Sequence, residues 1–479
     1  MKLTFFGGAG GNVIPSRILL GSTLLDCGDA IPTKGESSNR NNLAPLNPAE
    51  IQKVLLSHGH TDHVGALCAL VQGGFKGNIE STRGTKEITE ALLRDNYNEN
   101  SVNAVFKQYS NPIDFLKRFE IEEGVYATFY PAQGHILGAS SILLEFEKEN
   151  LRVLYSGDLG NTNKNMLEVN GEVPEADIVI MESIYGYREH HPDFGESLNE
   201  LYDEINTTYE QHGNFFVPVL SIHKLQEGLY YQNLGIERGK IPEDINIFVD
   251  STLGEVITDI YKLLHHRELF SAEAKDYFNN FSKVYPYNYS DYIRASGRNI
   301  VDASSGLDGL RGRFRKYFQE LRDGKNSVMV GSHRIKGSPL DQIAEGKERF
   351  GANGSSIPLN AKSFTLSGFS SHADATQLVT WLGKTKAKYV FLFHGENDAR
   401  GNLKEMIATN GLCSRERIFT PDLLEEFDLT NLPRARDMGS VPAVIKNGAL
   451  QTKEKTETMT LLGRIIEVPK GFPHKESAD

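Results

Sequence analysis

One hexapeptide, HGHTDH at residues 58–63, restricts this chain more than any other feature, because it gathers three imidazoles and a carboxylate into one short turn. The run before it, IQKVLLS, reads as a buried strand, which puts His58, His60, Asp62 and His63 on a loop at a strand's C-terminal end, where a rigid scaffold presents ligands. Imidazole nitrogen and carboxylate oxygen are what zinc takes at about 2.0 to 2.2 Å. Residues two apart can point toward one ion while the Asp-His pair points toward a second, so two adjacent metals are expected. The alternative is a polar, histidine-rich surface loop. Four ligand side chains among six residues weigh against it in a chain with only 14 His.

This spacing resembles the HxHxDH signature of the metallo-β-lactamase superfamily, and the rest of that superfamily's ligand set has matching positions. LLDCGD at 24–29 matches the family's second-strand aspartate, GHILGAS at 134–140 supplies His135, and LYSGDLG at 154–160 supplies Asp158. Coordination chemistry agrees: a carboxylate after an apolar strand can bridge two cations, and a histidine after another strand can close a shell. The resemblance implies that His58, His60 and His135 hold one zinc, that Asp62 and His63 begin a second site, that Asp158 bridges, and that Asp26 orients the histidine loop.

Three further segments narrow the likeness. ADIVIMESIYG contains Glu182, SGFSSHAD carries His372, and YVFLFHGE carries His394. They resemble motifs A, B and C of the β-CASP nucleases, the branch that includes bacterial ribonuclease J and the cleavage endonuclease of the polyadenylation machinery. That likeness makes His394 the last ligand of the second zinc. It makes His372 a contact to the scissile phosphate, oriented by Glu182, and the histidine at motif C favours RNA over DNA. It implies an α/β protein, a metallo-β-lactamase αββα sandwich with an inserted β-CASP α/β domain. The implied activity is zinc-dependent hydrolysis of single-stranded RNA with two Zn2+ per chain. Asp62 and Asp158 would handle the attacking water, His372 the leaving oxygen, and products would carry a 5′ phosphate.

Composition is consistent with this expectation. A chain of 479 residues is too long for one ordinary core, and 39% hydrophobic with 24% charged residues describes a soluble globular protein without a stretch able to span a bilayer. The start, MKLTFFGGAGG, lacks the pattern of a signal peptide, and three scattered cysteines form no disulfide framework, so a cytoplasmic protein is expected. The net charge of −12 runs against nucleic-acid binding, but RGRFRK at 311–316 concentrates four cations, Lys325, Arg334 and Lys336 follow, and metal charge dominates its own site.

Metal ligands at 58–158 reappear at 394, so the block between them reads as an insertion. The expected domains are residues 1–192 (first part of the metallo-β-lactamase domain), 193–359 (inserted β-CASP domain), 360–430 (second part of the metallo-β-lactamase domain) and 431–479 (a C-terminal appendage with one apolar strand, TLLGRIIEVP). Within the insertion, strands such as NFFVPVLSI and INIFVDS alternate with helical segments, which suggests parallel strands with crossover helices.

The likeness weakens in the insertion. Lys224 stands in VPVLSIHKLQE where the family's Arg-x-Gln-Glu pattern has arginine, and lysine cannot reproduce a bidentate fork on phosphate. Lys224, Ser304, Ser305, Arg334 and Lys336 are candidate substrate contacts. The glycine loop Gly7 to Gly11 has two readings, backbone N–H groups near a phosphate or a tight turn. His190, His191, His212, His265, His266 and His474 read as surface residues, and Trp381 as core. Rival functions are a DNA nuclease of the same fold, a small-molecule hydrolase sharing HGHTDH, and a non-catalytic RNA-processing scaffold. Oligomeric state stays open, a homodimer included.

Overall fold

The computed structural model describes residues 1–29, 43–132, 134–164, 166–169, 171–275, 284–286, 297–310, 312–331, 334–352, 354–432, 456–461 and 464–469. Two mixed sheets face one another. The first runs Glu426–Asp428, Lys2–Phe5, Ile18–Leu20, Thr23–Leu25, Lys53–Leu55, Asn78–Glu80. The second runs Ile418–Phe419, Tyr389–Phe393, Ile178–Glu182, Leu151–Tyr155, Ser140–Phe146, Val125–Pro131, Phe119–Glu122. Phe5, Leu25 and Leu55 from one sheet and Phe129, Ile142, Ile180 and Phe393 from the other form a single buried core. Alternate residues point outward to helices: Leu24 and Val54 share a second cluster with Ile88 and Leu92 of helix Arg83–Asn96, and Val390 and Leu392 share it with Leu378 and Trp381 of helix Ala375–Thr385. This period-two division is what a sheet covered on both faces requires.

A third sheet lies between these parts in sequence. Its order is Val284–Pro286, Asn246–Asp250, Asn299–Ser304, Phe215–Val219, Ser327–Met329, Lys362–Phe364, all parallel. Phe215, Val217 and Val219 pack with Leu201, Ile205 and Leu229 on one face, while Phe216 joins Phe314, Tyr317 and Phe318 on the other. The parallel strands and crossover helices are as the alternation suggests. Two expectations need correction. The strand in KSF at 362–364, read as part of the returning segment, pairs at the edge of this third sheet, because its backbone groups find partners in Ser327–Met329. TLLGRIIEVP is not one strand: Thr456–Leu461 and Arg464–Pro469 pair antiparallel, Leu461 opposite Arg464.

The topology sets up one concave end. Thr23–Leu25 and Lys53–Leu55 are parallel neighbours in the first sheet, and Leu151–Tyr155, Ile178–Glu182 and Tyr389–Phe393 are parallel neighbours in the second. Their C-terminal ends carry Asp26, the histidine loop, Asp158, Glu182 and His394.

Candidate metal centre

Asp26 leaves its strand with φ 58° and His394 with φ 54°, a conformation rare for residues with a Cβ and concentrated at functional sites. Gly28 is required beside them, since a Cβ there would meet the Asp62 carbonyl oxygen at 1.6 Å. Buried Asp26 works behind the metal-facing atoms. Its Oδ1 accepts from the Ser57 N–H at 2.7 Å, and its Oδ2 accepts from the Ser57 hydroxyl at 2.6 Å and the Tyr155 hydroxyl at 2.7 Å. His63 Nδ1 lies 2.7 Å from the same Oδ2, which leaves Nε2 to face outward.

The functional atoms converge in two groups. His58 Nε2 and His135 Nε2 lie 3.1 and 3.2 Å from His60 Nδ1. A tetrahedral site with bonds of about 2.05 Å separates its ligand nitrogens by about 3.3 Å, so these three nitrogens form a fitting tripod. His135 is turned by its Nδ1, 3.2 Å from the Ser371 carbonyl oxygen, and His58 by its Nδ1, 3.0 Å from the Ser57 hydroxyl. In the second group His63 Nε2 and His394 Nε2 stand 3.4 Å apart, with Asp62 Oδ2 at 3.9 and 3.7 Å from them. Asp158 spans both: Oδ2 is 3.5 Å from His58 and 3.6 Å from His135, and Oδ1 is 3.4 Å from each of His63 and His394. That Oδ1 is buried with no hydrogen-bond partner, an arrangement that suits a cation ligand.

Electrostatics divide the groups the same way. Burial, reinforced by neighbouring imidazoles, holds His58 and His135 well below the ordinary histidine range, and burial brings His60 to about 4 against the pull of Asp62. All three offer neutral lone pairs at pH 7. Around the second group burial works against charge but is outweighed. His394 and His63 hold the Asp158 carboxyl well below its usual range, and Asp158 in turn raises both imidazoles. A divalent cation bound there would take the place of those protons.

His372 stands at the rim, its side chain 18% exposed, with Nδ1 3.4 Å from Glu182 Oε1 and 3.8 Å from Asp158 Oδ2. Fully buried Glu182 is itself held by N–H groups of Leu159 at 3.0 Å and Ile184 at 3.1 Å. The two loops are tied together, since the Ala373 N–H donates to the Leu159 carbonyl at 2.8 Å. All the expected metal ligands, and the Glu182–His372 pair, therefore meet at one site.

The remaining candidates fall elsewhere. Lys224 bonds Glu227 at 3.0 Å and the Phe369 carbonyl, and Glu227 also pairs with buried Lys164, so this lysine braces the third sheet against the His372 loop. The Ser305 hydroxyl donates to backbone carbonyls of Val219 and Gly306, which commits it to its own turn. Arg334 is held by Asp341 at 3.0 Å, Lys336 is exposed, and Ser304 lines a separate crevice. Cations 313, 315 and 316 lie on or beside the 3-10 turn Arg313–Tyr317, while Arg311, His333 and His474 lie outside the described residues. The glycine loop makes a tight turn, with the Gly8 carbonyl accepting from the His394 N–H at 2.7 Å.

Two surface assignments fail. His191 is buried, its Nε2 2.9 Å from the His372 carbonyl oxygen, and His266 is buried against Glu87, because partners distant in sequence cover them. Trp381 is core. Sequence reasoning also missed Tyr155, Ser57 and Ser16, whose hydroxyl lies 3.3 Å from His394 Nδ1. Tyr155 and Ser57 adjoin the SGD and HGHTDH motifs and were open to inspection. Ser16 has no local signal.

Comparison with known proteins agrees with this geometry. Residues 23–208 match the β-lactamase superfamily domain, and residues 356–421 match the Zn-dependent metallo-hydrolase RNA specificity domain. A ribonuclease of Thermus thermophilus is 29% identical over 438 residues, covering 86% of this chain and 97% of that protein. An RNase J-like protein of Methanocaldococcus jannaschii is 27% identical over 410 residues, covering 82% and 92%. The crystal structure of a protein of unknown function from Enterococcus faecalis superposes with a TM-score of 0.54 at 13% identity, over 89% of this chain and 99% of that one, a likeness of fold.

Proposed function

We propose, because this chain belongs to the metallo-β-lactamase superfamily and its β-CASP ribonuclease branch, that it hydrolyses phosphodiester bonds of single-stranded RNA at a dinuclear zinc centre and leaves 5′ phosphates. The observation that carries the reading is Asp158, with one carboxylate oxygen toward His58 and His135 and the other toward His63 and His394. His58, His60, His135 and Asp158 Oδ2 would hold one zinc, and Asp62, His63, His394 and Asp158 Oδ1 the other. When bound, paired zinc ions supply Lewis-acid charge for the phosphate and activate water at neutral pH.

The chain's own groups do the rest. Asp62, its side chain 19% exposed at the rim, orients the attacking water. As the water oxygen bonds phosphorus, its proton passes to the Asp62 carboxylate, the bond to the 3′ oxygen breaks and His372 delivers a proton to that oxygen. Glu182, 3.4 Å from Nδ1, keeps the imidazole turned to the cleft. Tyr185 has its ring centroid 6.2 Å from that of His372, and Tyr187, 53% exposed, lies 6.0 Å further out. An exposed aromatic one ring removed from Tyr185 supports single-strand binding by base stacking.

We propose a division of the chain near residues 192 and 364, the second boundary moved past the strand at 362–364. We also place the protein in the cytoplasm. Cys27, Cys68 and Cys413 support this as buried free thiols, and burial raises them to about 12, 11 and 11. No helix among the described residues is long and apolar enough to cross a membrane.

Matched RNA and DNA oligomers, labelled at either end and incubated with zinc-loaded protein, test the reading. RNA fragments bearing 5′ phosphates, abolished by chelation and restored by zinc, are expected. Equal cleavage of DNA would replace ribonuclease by nuclease, and no cleavage of either would return the scaffold alternative.

A further inference from the structure

The third sheet has a crevice of its own, apart from the metal cluster. In parallel α/β sheets ligands bind beyond the carboxyl ends of the strands, where successive connections leave in opposite directions. Here Phe215–Val219 and Asn299–Ser304 are neighbours. The chain leaves the first toward Asn246–Asp250 on one side and the second toward Ser327–Met329 on the other. Ser221, Ser251 and Ser304 follow or end three of these strands and line a polar cavity of about 230 Å³ together with Arg313, Arg315 and Lys316.

The cations are set in place rather than scattered. Asp250, fully buried beneath them, takes Arg313 Nη1 at 2.8 Å, Lys316 Nζ at 3.5 Å and the Tyr317 hydroxyl at 3.0 Å. Ser221 and Ser251 hydroxyls lie 2.8 Å apart, and Ser251 caps helix Thr252–Tyr261, so its first turn adds N–H groups and positive dipole at the cavity wall. Asp95, reaching in from helix Arg83–Asn96, is the one carboxylate among the described lining residues, and burial raises its pKa. The volume falls below the roughly 300 Å³ at which pockets for drug-sized ligands begin, which suits a phosphate group rather than a whole cofactor.

We propose that this crevice is a phosphate-binding exosite that grips a backbone phosphate of the bound RNA strand. Helix Thr252–Tyr261 connects it to the metal cluster: Ser251 caps one end, and at the other the Tyr261 hydroxyl accepts from the Leu137 N–H at 3.2 Å, two residues from His135. Ten helical residues span about 15 Å, so the exosite engages a phosphate several nucleotides from the one cleaved. The RNA assignment rests on the ribonuclease reading, but the anion site does not.

Arg315→Ala and Asp95→Asn, in the full zinc-loaded chain, test it. Binding of a phosphorothioate-linked oligoribonucleotide, followed by fluorescence anisotropy across salt concentrations, should weaken about tenfold in Arg315→Ala and tighten in Asp95→Asn. The salt slope should fall by about 0.7 in the arginine variant, the share of one single-strand phosphate contact. Hydrolysis of bis(p-nitrophenyl) phosphate, too small to reach the exosite, should keep wild-type kcat/KM in both. Inorganic phosphate titrated by calorimetry supplies the independent arm. If Arg315→Ala loses a phosphate-binding event but binds the oligomer as the wild type does, the occupant is a free phosphate and the RNA assignment is overturned. If both variants match wild type in oligomer affinity, salt slope and phosphate binding, there is no site. A protein that cleaves no nucleic acid yet shows the Arg315-dependent phosphate event would remove the ribonuclease reading and keep the site.

Discussion

Asp158 Oδ1 lies 3.4 Å from His394 Nε2, although the whole third sheet separates the two residues in sequence. They meet because Leu151–Tyr155 and Tyr389–Phe393 flank Ile178–Glu182 as parallel strands, so all three end at the same edge. His394 reaches inward from a left-handed backbone position, with its Nδ1 against the Val13 carbonyl. The late part of the chain thereby completes a site begun by HGHTDH.

Asp158→Ala should remove both metals and activity together, because under the proposed dinuclear reading its carboxylate would hold both cations, which stand about 3.5 to 4 Å apart in paired-metal sites. Elemental analysis of dialysed protein is the check. Two zinc ions per chain with near-normal turnover in the variant would end the bridging assignment.

His394→Ala should lose one metal preferentially, since the His58, His60 and His135 tripod is untouched. Stoichiometry should fall from about two zinc ions per chain toward one, with excess zinc restoring activity only in part. Retention of two tightly held ions would place His394 outside the shell.

His372→Ala should separate chemistry from metal binding. Zinc content should stay near that of the wild type while turnover drops about a hundredfold or more, the scale of a positioned general acid. A parallel loss of zinc would make His372 a ligand.

Tyr155→Phe deletes a buried hydroxyl that donates to Asp26 and touches no metal-facing atom. Losing a hydrogen bond to a charged group costs about 1.5 to 3 kcal/mol of stability. The loosened Asp26–His63 contact should weaken zinc binding by about tenfold. Chelator competition reads the affinity, and unchanged zinc release with a lower Tm would confine Tyr155 to folding.

Asp302→Asn tests a pH effect away from the metals. Burial raises the Asp302 carboxyl to about 7, against a hydrogen bond from Gln232, so its folded value lies above the unfolded one near 3.8. The folded state therefore binds the extra proton, and stability is lost as pH rises from about 4 through 7, by up to about 4 kcal/mol. Tm measured at pH 5 and pH 8 should show the variant gaining over wild type more at pH 8. A gain independent of pH would refute the shift.

The candidate metal ligands were legible in the chain because each follows a short apolar strand, and such loops keep their chemistry in contiguous residues: HGHTDH, LYSGDLG, YVFLFHGE. The alternation around residues 215–329 likewise announced parallel strands with crossover helices. What local sequence does not encode is which distant groups close around a side chain. His191 and His266 look like surface residues until the His372 carbonyl and Glu87 are folded against them. Lys224 looks available to substrate until Glu227 and Phe369 take it. Ser16 reaches His394, and Asp95 reaches the Arg313 crevice, only through packing of one unit on another. Local pattern selects the strands and the ligand types. Tertiary packing decides burial and partners, which are properties of pairs of residues far apart in the chain.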